Sequence, residues 1–348
     1  MVLSPKVPVS AYATSFAMPM LMLILVALIV LASEDSPLPR LSAHPLTYMM
    51  NDEHLDPDDL QALKDIKSKL FDLPGSTFFE TWRFGTPSRD DQVVVVADDV
   101  IYPCTSFLGL VCDYDPTGPD PVADLFRPAR LRVRELNLGS NIADAPGLRG
   151  EIHESIGRLT SLRQFTVSPG QVGGVVPHSI GRLENLEFLG ISRNRLSGAI
   201  PPTLASGLVS LRTLDLSFNN LIGSIPPDLL RLPSLQVLLL SHNRLIGPPF
   251  PVIASDRISP FLSHIDLQSN RFSGSFPPAF SFPPSLSYLS LASNSIGGAL
   301  PASLFSASAP PSSSSLYFID LSYNNLSGPI PADPLLSLPL HSLLLHHN

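Results

Sequence analysis

The sequence is poor in charged residues, and negative charge outweighs positive charge. Charged residues make up 15% of its 348 residues, whereas about a quarter is usual in globular proteins. The 22 Lys and Arg residues are outnumbered by 30 Asp and Glu residues, which gives a net charge of -8. A short basic run contains Arg130, Arg132 and Arg134, but Glu135 follows it directly, so we interpret it as solvated surface. Because nucleic-acid binding needs clustered positive charge, a nucleic-acid partner is excluded.

The sequence also lacks an apolar run long enough to cross a membrane. Residues 20–32 contain no polar side chain but number only 13, whereas a membrane-spanning helix needs about 20 residues. Lys6 is the only charge before this stretch, and Val30 and Ala32 form the small pair expected before a cleavage site. We therefore predict a signal peptide over residues 1–32, or an uncleaved signal anchor, followed by a polar linker over residues 33–55.

Cysteine is nearly absent, with Cys104 and Cys112 as the two examples. In an exported chain a close pair normally becomes a disulfide. Neither cysteine has a histidine nearby in the sequence, which argues against a catalytic thiol. Asn325, followed by Leu326 and Ser327, is the one N-x-S/T acceptor for glycosylation. These features predict a secreted, cell-wall or plasma-membrane-associated protein with a disulfide and a glycosylation site at Asn325.

The motifs of the common enzyme classes are missing as well. The sequence has no G-x-S-x-G elbow, P-loop, H-E-x-x-H or kinase signature. Two adjacent histidines, His346 and His347, make a poor metal site. The acidic residues between positions 52 and 59 lack the spacing and the glycine of an EF-hand. We therefore expect a protein that is not an enzyme and that uses no cofactor or metal.

A helix is predicted near the start of the part that follows the linker. Asp56 is a suitable N-cap, and Pro57 suits the first helical position. The pattern predicts that the helix ends at Pro74 and Gly75. Its apolar stripe, at helical spacing, consists of Leu60, Leu63, Ile66 and Leu70.

From Val133 onward one template repeats: L-x-x-L-x-L-x-x-N-x-L-x-G-x-I-P-x-x-L. Most intervals between copies are 24 or 25 residues, and the longer ones contain insertions. One copy cannot bury its own leucines, so a period of this size predicts a solenoid. Residues 131–348 hold about nine repeats, the last of them incomplete. The copies open at Val133, Leu162, Leu186, Leu211, Leu235, Leu262, Leu286, Leu316 and Leu340.

Each copy predicts a short strand followed by a buried asparagine. In the copy that opens at Leu211, Leu214 and Leu216 alternate with polar residues and should point inward. An amide both donates and accepts hydrogen bonds, so the asparagine can satisfy backbone groups that the turn leaves unpaired. Gly170 replaces the asparagine in the coil of Leu162, where we expect a different bend. This predicted ladder comprises Asn141, Asn194, Asn219, Asn243, Asn270, Asn294 and Asn324.

The template with its G-x-I-P segment resembles the plant-type leucine-rich repeat of receptor-like kinases, receptor-like proteins and polygalacturonase-inhibiting proteins. The resemblance covers residues 56–348. It implies an α/β solenoid, a right-handed superhelix with a parallel β-sheet on its concave face. It also implies an N-terminal helical cap over residues 56–130, to which the helix, Trp82 and the cysteine pair would belong.

The sequence departs from this family pattern at several places. Phe107 stands where the cap usually has a second tryptophan, and His153 replaces the repeat proline in the first coil. Residues 93–96 belong to an unusually long stretch that we interpret as a loop or as an artefact of gene prediction. The sequence stops at Asn348 within a coil, from which we expect a truncated product or a partial sequence.

The resemblance implies that variable residues of the strands and following turns face a partner. Alternation by itself predicts only that they point outward. Exposed aromatic residues are enriched in interfaces, although large side chains on neighbouring strands can also simply stack on each other. Arg193 and Arg195 lie outside the strand, so the Arg-x-Arg carboxylate clamp of some family receptors is not supported. The predicted ligand-binding residues are Phe188, Arg193, Phe218, His242, His264, Tyr288, Phe318 and Tyr323.

The expected function is extracellular recognition of a protein or peptide in cell-surface signalling or defence. A co-receptor kinase and a wall-degrading enzyme are candidate partners. Two alternatives stay open: a secreted inhibitor of a polygalacturonase-type enzyme, and the ectodomain of a receptor-like kinase.

Overall fold

The computed structural model describes residues 54–84, 86–87, 94–96, 99–114, 130–139, 147–250, 258–277, 282–304, 316–331 and 340–348. All of them lie in one unit, Glu53–Asn348. The predicted signal segment, most of the linker and Asn141 lie outside the described residues. Within the ranges above, no helix is long and apolar enough to cross a bilayer.

The elements are short and are numbered here in chain order. The strands are β1 (His54–Leu55), β2 (Leu70–Asp72), β3 (Thr86–Pro87), β4 (Val94–Val96), β5 (Asp99–Ile101), β6 (Leu110–Tyr114), β7 (Arg130–Leu138), β8 (Leu148–Glu151), β9 (Gln164–Val167), β10 (Gln171–Gly173), β11 (Phe188–Gly190), β12 (Thr213–Asp215), β13 (Val237–Leu239), β14 (Ile246–Gly247), β15 (His264–Asp266), β16 (Arg271–Gly274), β17 (Tyr288–Ser290), β18 (Ser295–Gly298), β19 (Phe318–Asp320), β20 (Asn325–Leu326) and β21 (Ser342–Leu344). The α-helices are α1 (Pro57–Lys69), α2 (Pro103–Ser106) and α3 (Pro202–Gly207), and 3-10 helices span Phe78–Glu80, Glu154–Arg158, His178–Arg182, Pro227–Arg231 and Ala302–Leu304.

The predicted solenoid is confirmed by one 11-stranded sheet to which each coil adds a strand. Its order is β1-β7-β9-β11-β12-β13-β15-β17-β19-β21, and β6 pairs with β7. β6 is antiparallel to β7, whereas the repeat strands pair in parallel. Equivalent positions of the template align, for example Tyr288 with Phe318. A second sheet, β14-β16-β18-β20, forms where the chain leaves the main sheet.

The core is a continuous stack of the repeat leucines. Leu214, Leu216 and Leu221 are fully buried, as are Ile225 and Leu229 from the return path of the same coil. Burying one such side chain contributes about 1.5 to 3 kcal/mol. Because a coil buries its apolar side chains against its neighbours, the repeats stabilise each other in sequence.

Helix α1 begins as predicted but ends earlier. The Asp56 side chain accepts a hydrogen bond from the Asp58 amide at 3.0 Å, and Pro57 occupies the first turn. The helix stops at Lys69, because Leu70 begins β2, which pairs antiparallel with β8. The prediction that the helix continues to Pro74 and Gly75 is therefore wrong. Pairing with a distant strand outweighs the helical spacing of Leu70.

An aromatic cluster and a disulfide lie beside the first repeat. Trp82 is fully buried, and its indole N–H donates to the Leu108 carbonyl at 2.9 Å. Phe107 stacks on Trp82 with ring centroids 5.3 Å apart. Cys104 of α2 and Cys112 of β6 form a disulfide.

The stretch between Trp82 and Cys104 contains paired strands where the sequence suggested a loop. β3, β4 and β5 form a three-stranded antiparallel sheet, with Val95 opposite both Thr86 and Val100. The loop interpretation is therefore wrong for residues 94–96, which form the central strand.

A buried ion pair joins α1 to the first repeat strand. The fully buried Asp59 carboxylate accepts two hydrogen bonds from the Arg132 guanidinium, both at 3.0 Å, and one from the Val133 amide at 2.9 Å. Burial raises the pKa of Asp59, while these hydrogen bonds favour its charged form. The interpretation of the basic run as solvated surface is therefore wrong for Arg132.

Candidate functional site

The candidate site is the face of the 11-stranded sheet that points away from the core. Two rows of side chains run across it, each with one residue from every coil in which the structure describes that position. The strand column holds the residue before the second template leucine: Glu135, Gln164, Phe188, Thr213, Val237, His264, Tyr288, Phe318 and Ser342. The turn column holds the residue before the asparagine: Pro169, Arg193, Phe218, His242, Ser269, Ser293, Tyr323 and His347. Neighbouring rungs are separated by about 4.8 Å, the spacing of adjacent strands.

The turn column has an unusual backbone conformation. Every member except Pro169 has a positive φ, between 54° and 58°. Bulky side chains rarely adopt this left-handed region, and each such residue costs on the order of 1 to 3 kcal/mol. Proline cannot adopt it, because its ring fixes φ near -65°. The coil that opens at Leu162, in which Gly170 replaces the asparagine, therefore has a different turn from the others, as the sequence suggested.

Side chains of the turn column stack in two groups. The Arg193 guanidinium lies 4.3 Å from the centroid of the Phe218 ring, and the opposite face of that ring stacks on His242 at 4.1 Å. Two coils with serine, Ser269 and Ser293, follow. Tyr323 then stacks on His347 at 4.5 Å.

The strand column forms a separate three-ring stack. His264 stacks on Tyr288 with centroids 4.1 Å apart and planes 2° from parallel. Tyr288 stacks on Phe318 at 4.7 Å and 5°. Phe188 is not part of this stack. Its ring lies over Gly190, where a β-carbon would approach the ring to 2.7 Å.

Stacking and exposure coexist on this face. Phe188 is 36% exposed, Phe218 37% and Tyr323 51%. His264, Tyr288 and Phe318 are half-buried, because each ring covers part of its neighbour. The eight predicted ligand-binding residues therefore occupy one continuous face. Their role as a contact surface stays a proposal.

Three aspartates point from the same face. Asp215 accepts hydrogen bonds from the Ser217 amide at 3.0 Å and its hydroxyl at 2.6 Å. Asp320 makes the same pair of bonds with Ser322, at 2.9 and 2.6 Å. Asp266 accepts from the Gln268 amide at 3.1 Å. Such local bonds fix each carboxylate relative to its strand.

Burial and the neighbouring carboxylates shift the pKa values of two residues in the ring stack, Tyr288 and His264. Burial raises the pKa of the Tyr288 hydroxyl, and the charges of Asp266 and Asp320 raise it further. Burial lowers the pKa of His264, whereas the charge of Asp266 acts in the opposite direction. His264 in the folded protein is thus protonated at a lower pH than in the unfolded chain, where a histidine titrates near pH 6.5.

This difference predicts pH-dependent stability. The contribution of neutral His264 to the free energy of unfolding is complete above about pH 6.5. It is lost as the pH falls toward the lower pKa of the folded state, because the unfolded chain binds more protons than the folded protein in this pH range. We expect the urea midpoint of unfolding to fall between pH 7.5 and pH 5 in the wild type, and His264→Phe to reduce that fall. An equal fall in both proteins would contradict this origin.

A charged cavity lies at the other end of the face. Its volume is about 480 Å³, and its lining includes Arg134, Arg163, Glu187, Phe188 and Arg212. Glu187 pairs with Arg163 at 3.3 Å and with Arg212 at 3.5 Å, so charges alternate across three adjacent strands. The template register places all three residues at the same position, directly before a strand, but their pairing was not predicted from the sequence.

The asparagines make the hydrogen bonds that their position suggested. Asn219 is typical: its oxygen accepts from the Leu196 amide, and its nitrogen donates to carbonyls that include Ile191 of the preceding coil. Asn194, Asn243, Asn270, Asn294 and Asn324 bond in the same manner. Asn325 is exposed, on strand β20. In the described part of the chain, no cluster of three or more His, Cys, Asp or Glu residues could hold a metal ion.

Comparison with known proteins agrees with this geometry. A family model described as leucine rich repeat matches residues 184–245, and a second one of the same description matches residues 261–282 and 315–335. The crystal structure of the leucine-rich-repeat ectodomain of the plant membrane receptor kinase GASSHO1/SCHENGEN3 from Arabidopsis thaliana, in complex with CASPARIAN STRIP INTEGRITY FACTOR 2, is 27% identical with a TM-score of 0.58. The chain therefore contains leucine-rich repeats, and it is similar to the ectodomain of a plant receptor kinase. The match covers 82% of this chain and 32% of that ectodomain, so this leucine-rich-repeat protein spans about a third of its length.

Two further solved structures are similar over most of this leucine-rich-repeat chain. A plant ice-binding protein is 26% identical over 83% of this chain and 96% of its own, with a TM-score of 0.49. The ectodomain of the receptor kinase SOBIR1 from Arabidopsis thaliana is 24% identical over 80% of this chain and 100% of its own, with a TM-score of 0.40. No curated protein sequence matches the chain.

Proposed function

We propose that this protein is an extracellular recognition module that binds a protein or an extended peptide on the open face of its sheet. The observation that carries the proposal is the set of three ring stacks on that face: Phe218 with His242, Tyr323 with His347, and His264 with Tyr288 and Phe318. Aromatic side chains supply large contact areas with few rotatable bonds, and they dominate the energetics of many interfaces. Because stacking already restricts the rotation of these rings, they lose less conformational entropy when a partner binds.

The comparison supports the same role. The similar ectodomain of GASSHO1/SCHENGEN3 is described in complex with another factor, and leucine-rich-repeat scaffolds serve binding, with no catalytic group required. We assign this chain an extracellular location on the basis of its disulfide and the export signal predicted over residues 1–32. The cellular process that we propose is cell-surface signalling or defence.

The test compares the wild-type protein with a double variant that lacks two rings of the face, and a second double variant serves as the control. Wild-type protein and Phe218→Ala/Tyr288→Ala protein are incubated with a cell-wall extract, and the affinity of each protein recovered specifically by the wild type is then measured. Because hot-spot aromatics contribute about 2 kcal/mol or more each, we expect the double variant to bind at least about tenfold more weakly.

The matched control removes two exposed phenyl rings elsewhere. Phe71 is 52% exposed and Phe261 is 58% exposed, and neither belongs to the two columns. Phe71→Ala/Phe261→Ala should leave partner affinity unchanged. Equal affinity of the wild type and of Phe218→Ala/Tyr288→Ala for every recovered partner would refute the assignment of this face.

A further inference from the structure

The three-ring stack of the strand column ends in a ring face that no other ring covers. One face of Phe318 stacks on Tyr288 at 4.7 Å. On the opposite side the strand register pairs Phe318 with Ser342, whose small side chain carries no ring. In the described part of the chain, no further aromatic ring contacts Phe318. A flat group that lies above Ser342 would therefore extend the stack by one member.

A carboxylate stands beside this ring. Asp320 is two residues after Phe318 on the same strand, so both side chains point to the same face of the sheet, about 7 Å apart along the strand. Ser322 holds the Oδ1 atom of Asp320 through two hydrogen bonds, and Oδ2 accepts no hydrogen bond from the described residues. None of the ion pairs found among the described residues involves Asp320.

The protein itself shows what a ring end of this kind can bind. In the turn column, the Arg193 guanidinium lies 4.3 Å from the centroid of the Phe218 ring, and the opposite face of that ring stacks on His242. A guanidinium is planar, weakly hydrated and able to donate two parallel hydrogen bonds to a carboxylate. The arrangement at Phe318 offers the same ring face, with a carboxylate added.

We propose that Phe318 and Asp320 form a binding site for an arginine side chain of an extended peptide ligand. The guanidinium stacks on the open face of Phe318 above Ser342 and donates to the free oxygen of Asp320. Lysine fits less well, because its ammonium group is compact and strongly hydrated and does not stack. This proposal rests on the proposed function, since it names one side chain that the ligand would place on the sheet face.

The site can be tested with defined peptides at low ionic strength. The probes are fluorescein-labelled (Gly-Arg)4, (Gly-Lys)4 and (Gly-citrulline)4, with affinity measured by fluorescence anisotropy. For the wild type we expect (Gly-Arg)4 to bind about fivefold tighter than (Gly-Lys)4, which is the size of a cation–π contribution. Citrulline keeps the shape of arginine without its charge and should not bind measurably.

Three variants separate the site from general electrostatic attraction. Asp320→Asn should weaken (Gly-Arg)4 binding about tenfold, in line with the loss of a charge-assisted hydrogen bond. Phe318→Leu should remove the preference for arginine over lysine. Asp215→Asn is the matched control, because Asp215 has the same serine contacts on the same face but follows Thr213, which has no ring. We expect it to change affinity less than about twofold.

Several outcomes would overturn the proposal. These are no binding of (Gly-Arg)4 to the wild type, equal binding of the arginine and lysine peptides, or an equal loss of affinity in Asp215→Asn and Asp320→Asn. Circular dichroism of each variant checks that the fold is retained, and Asp320→Glu should restore binding if the carboxylate is what matters. Failure here leaves the aromatic-face test with Phe218→Ala/Tyr288→Ala unaffected, so the two proposals can be rejected separately.

Discussion

Replacing Asp59 with alanine should lower the free energy of unfolding by about 3 to 5 kcal/mol, the usual cost of removing one partner from a buried ion pair. Asp59 is fully buried and accepts from Arg132 and from the Val133 amide. Its loss removes the carboxylate that pairs with the largely buried Arg132 guanidinium and the acceptor of the buried Val133 amide. Arg132 therefore contributes much of the expected cost. Urea denaturation followed by circular dichroism measures the change.

The control for this prediction lies one residue earlier in the same helix turn. Asp58 is exposed, so Asp58→Ala makes the same change of charge near the helix N-terminus and should cost no more than about 1 kcal/mol. The combined Asp59→Leu/Arg132→Met variant should recover much of the loss, because two apolar groups can replace a buried pair at little cost. Similar losses for Asp58→Ala and Asp59→Ala would show that the ion pair is not what stabilises this junction.

Asn219→Ala should have a comparable effect from the middle of the solenoid. The Asn219 oxygen accepts from the Leu196 amide at 2.9 Å, and its nitrogen donates to the carbonyls of Ile191, Leu216 and Ser217. At least two buried backbone groups lose a partner, and each unsatisfied group costs about 1 to 3 kcal/mol. The expected loss of unfolding free energy is therefore about 2 to 6 kcal/mol, measured by the same urea denaturation.

The neighbouring residue provides the comparison for Asn219. Asn220 is only half-buried, and its backbone amide, which alanine retains, donates to the Leu196 carbonyl at 2.7 Å. Asn220→Ala should change stability by less than about 1 kcal/mol. If the two alanine variants are equally stable, the ladder asparagines do not hold adjacent coils together.

Most of the sheet could be predicted from the repeat template, because the spacing of its leucines determines both the buried side and the register of each strand. Alternating leucines such as Leu214 and Leu216 fix which side of each strand is buried, and the equal spacing of copies fixes the parallel register. The aligned strand positions then follow, so the stack of His264, Tyr288 and Phe318 could be placed in one row from the sequence alone. The distances and parallel planes of those rings could not, because they depend on rotamers that each ring imposes on the next.

Two other features left little local signal. The left-handed backbone of Phe218 and Tyr323 contradicts the preference of bulky residues, and the turn overrides that preference. Only the exception, Pro169 followed by Gly170, gives a hint of it. The ion pair between Asp59 and Arg132 joins residues 73 positions apart. Each of these residues by itself is typical of a solvated surface, and no spacing rule connects them.

Each coil contributes one residue to each column, and this arrangement has a consequence for how recognition by this protein could change. Removal or duplication of a complete coil would preserve the buried leucines on both sides of the junction. It would move every outward side chain beyond the junction by one step of about 4.8 Å. Deletion of the coil that opens at Leu286 would bring Phe318 directly beside His264, and a bound arginine would lie one step closer to Phe218. Binding preference in such a molecule can therefore shift in discrete increments through unequal recombination, without any point mutation on the binding face.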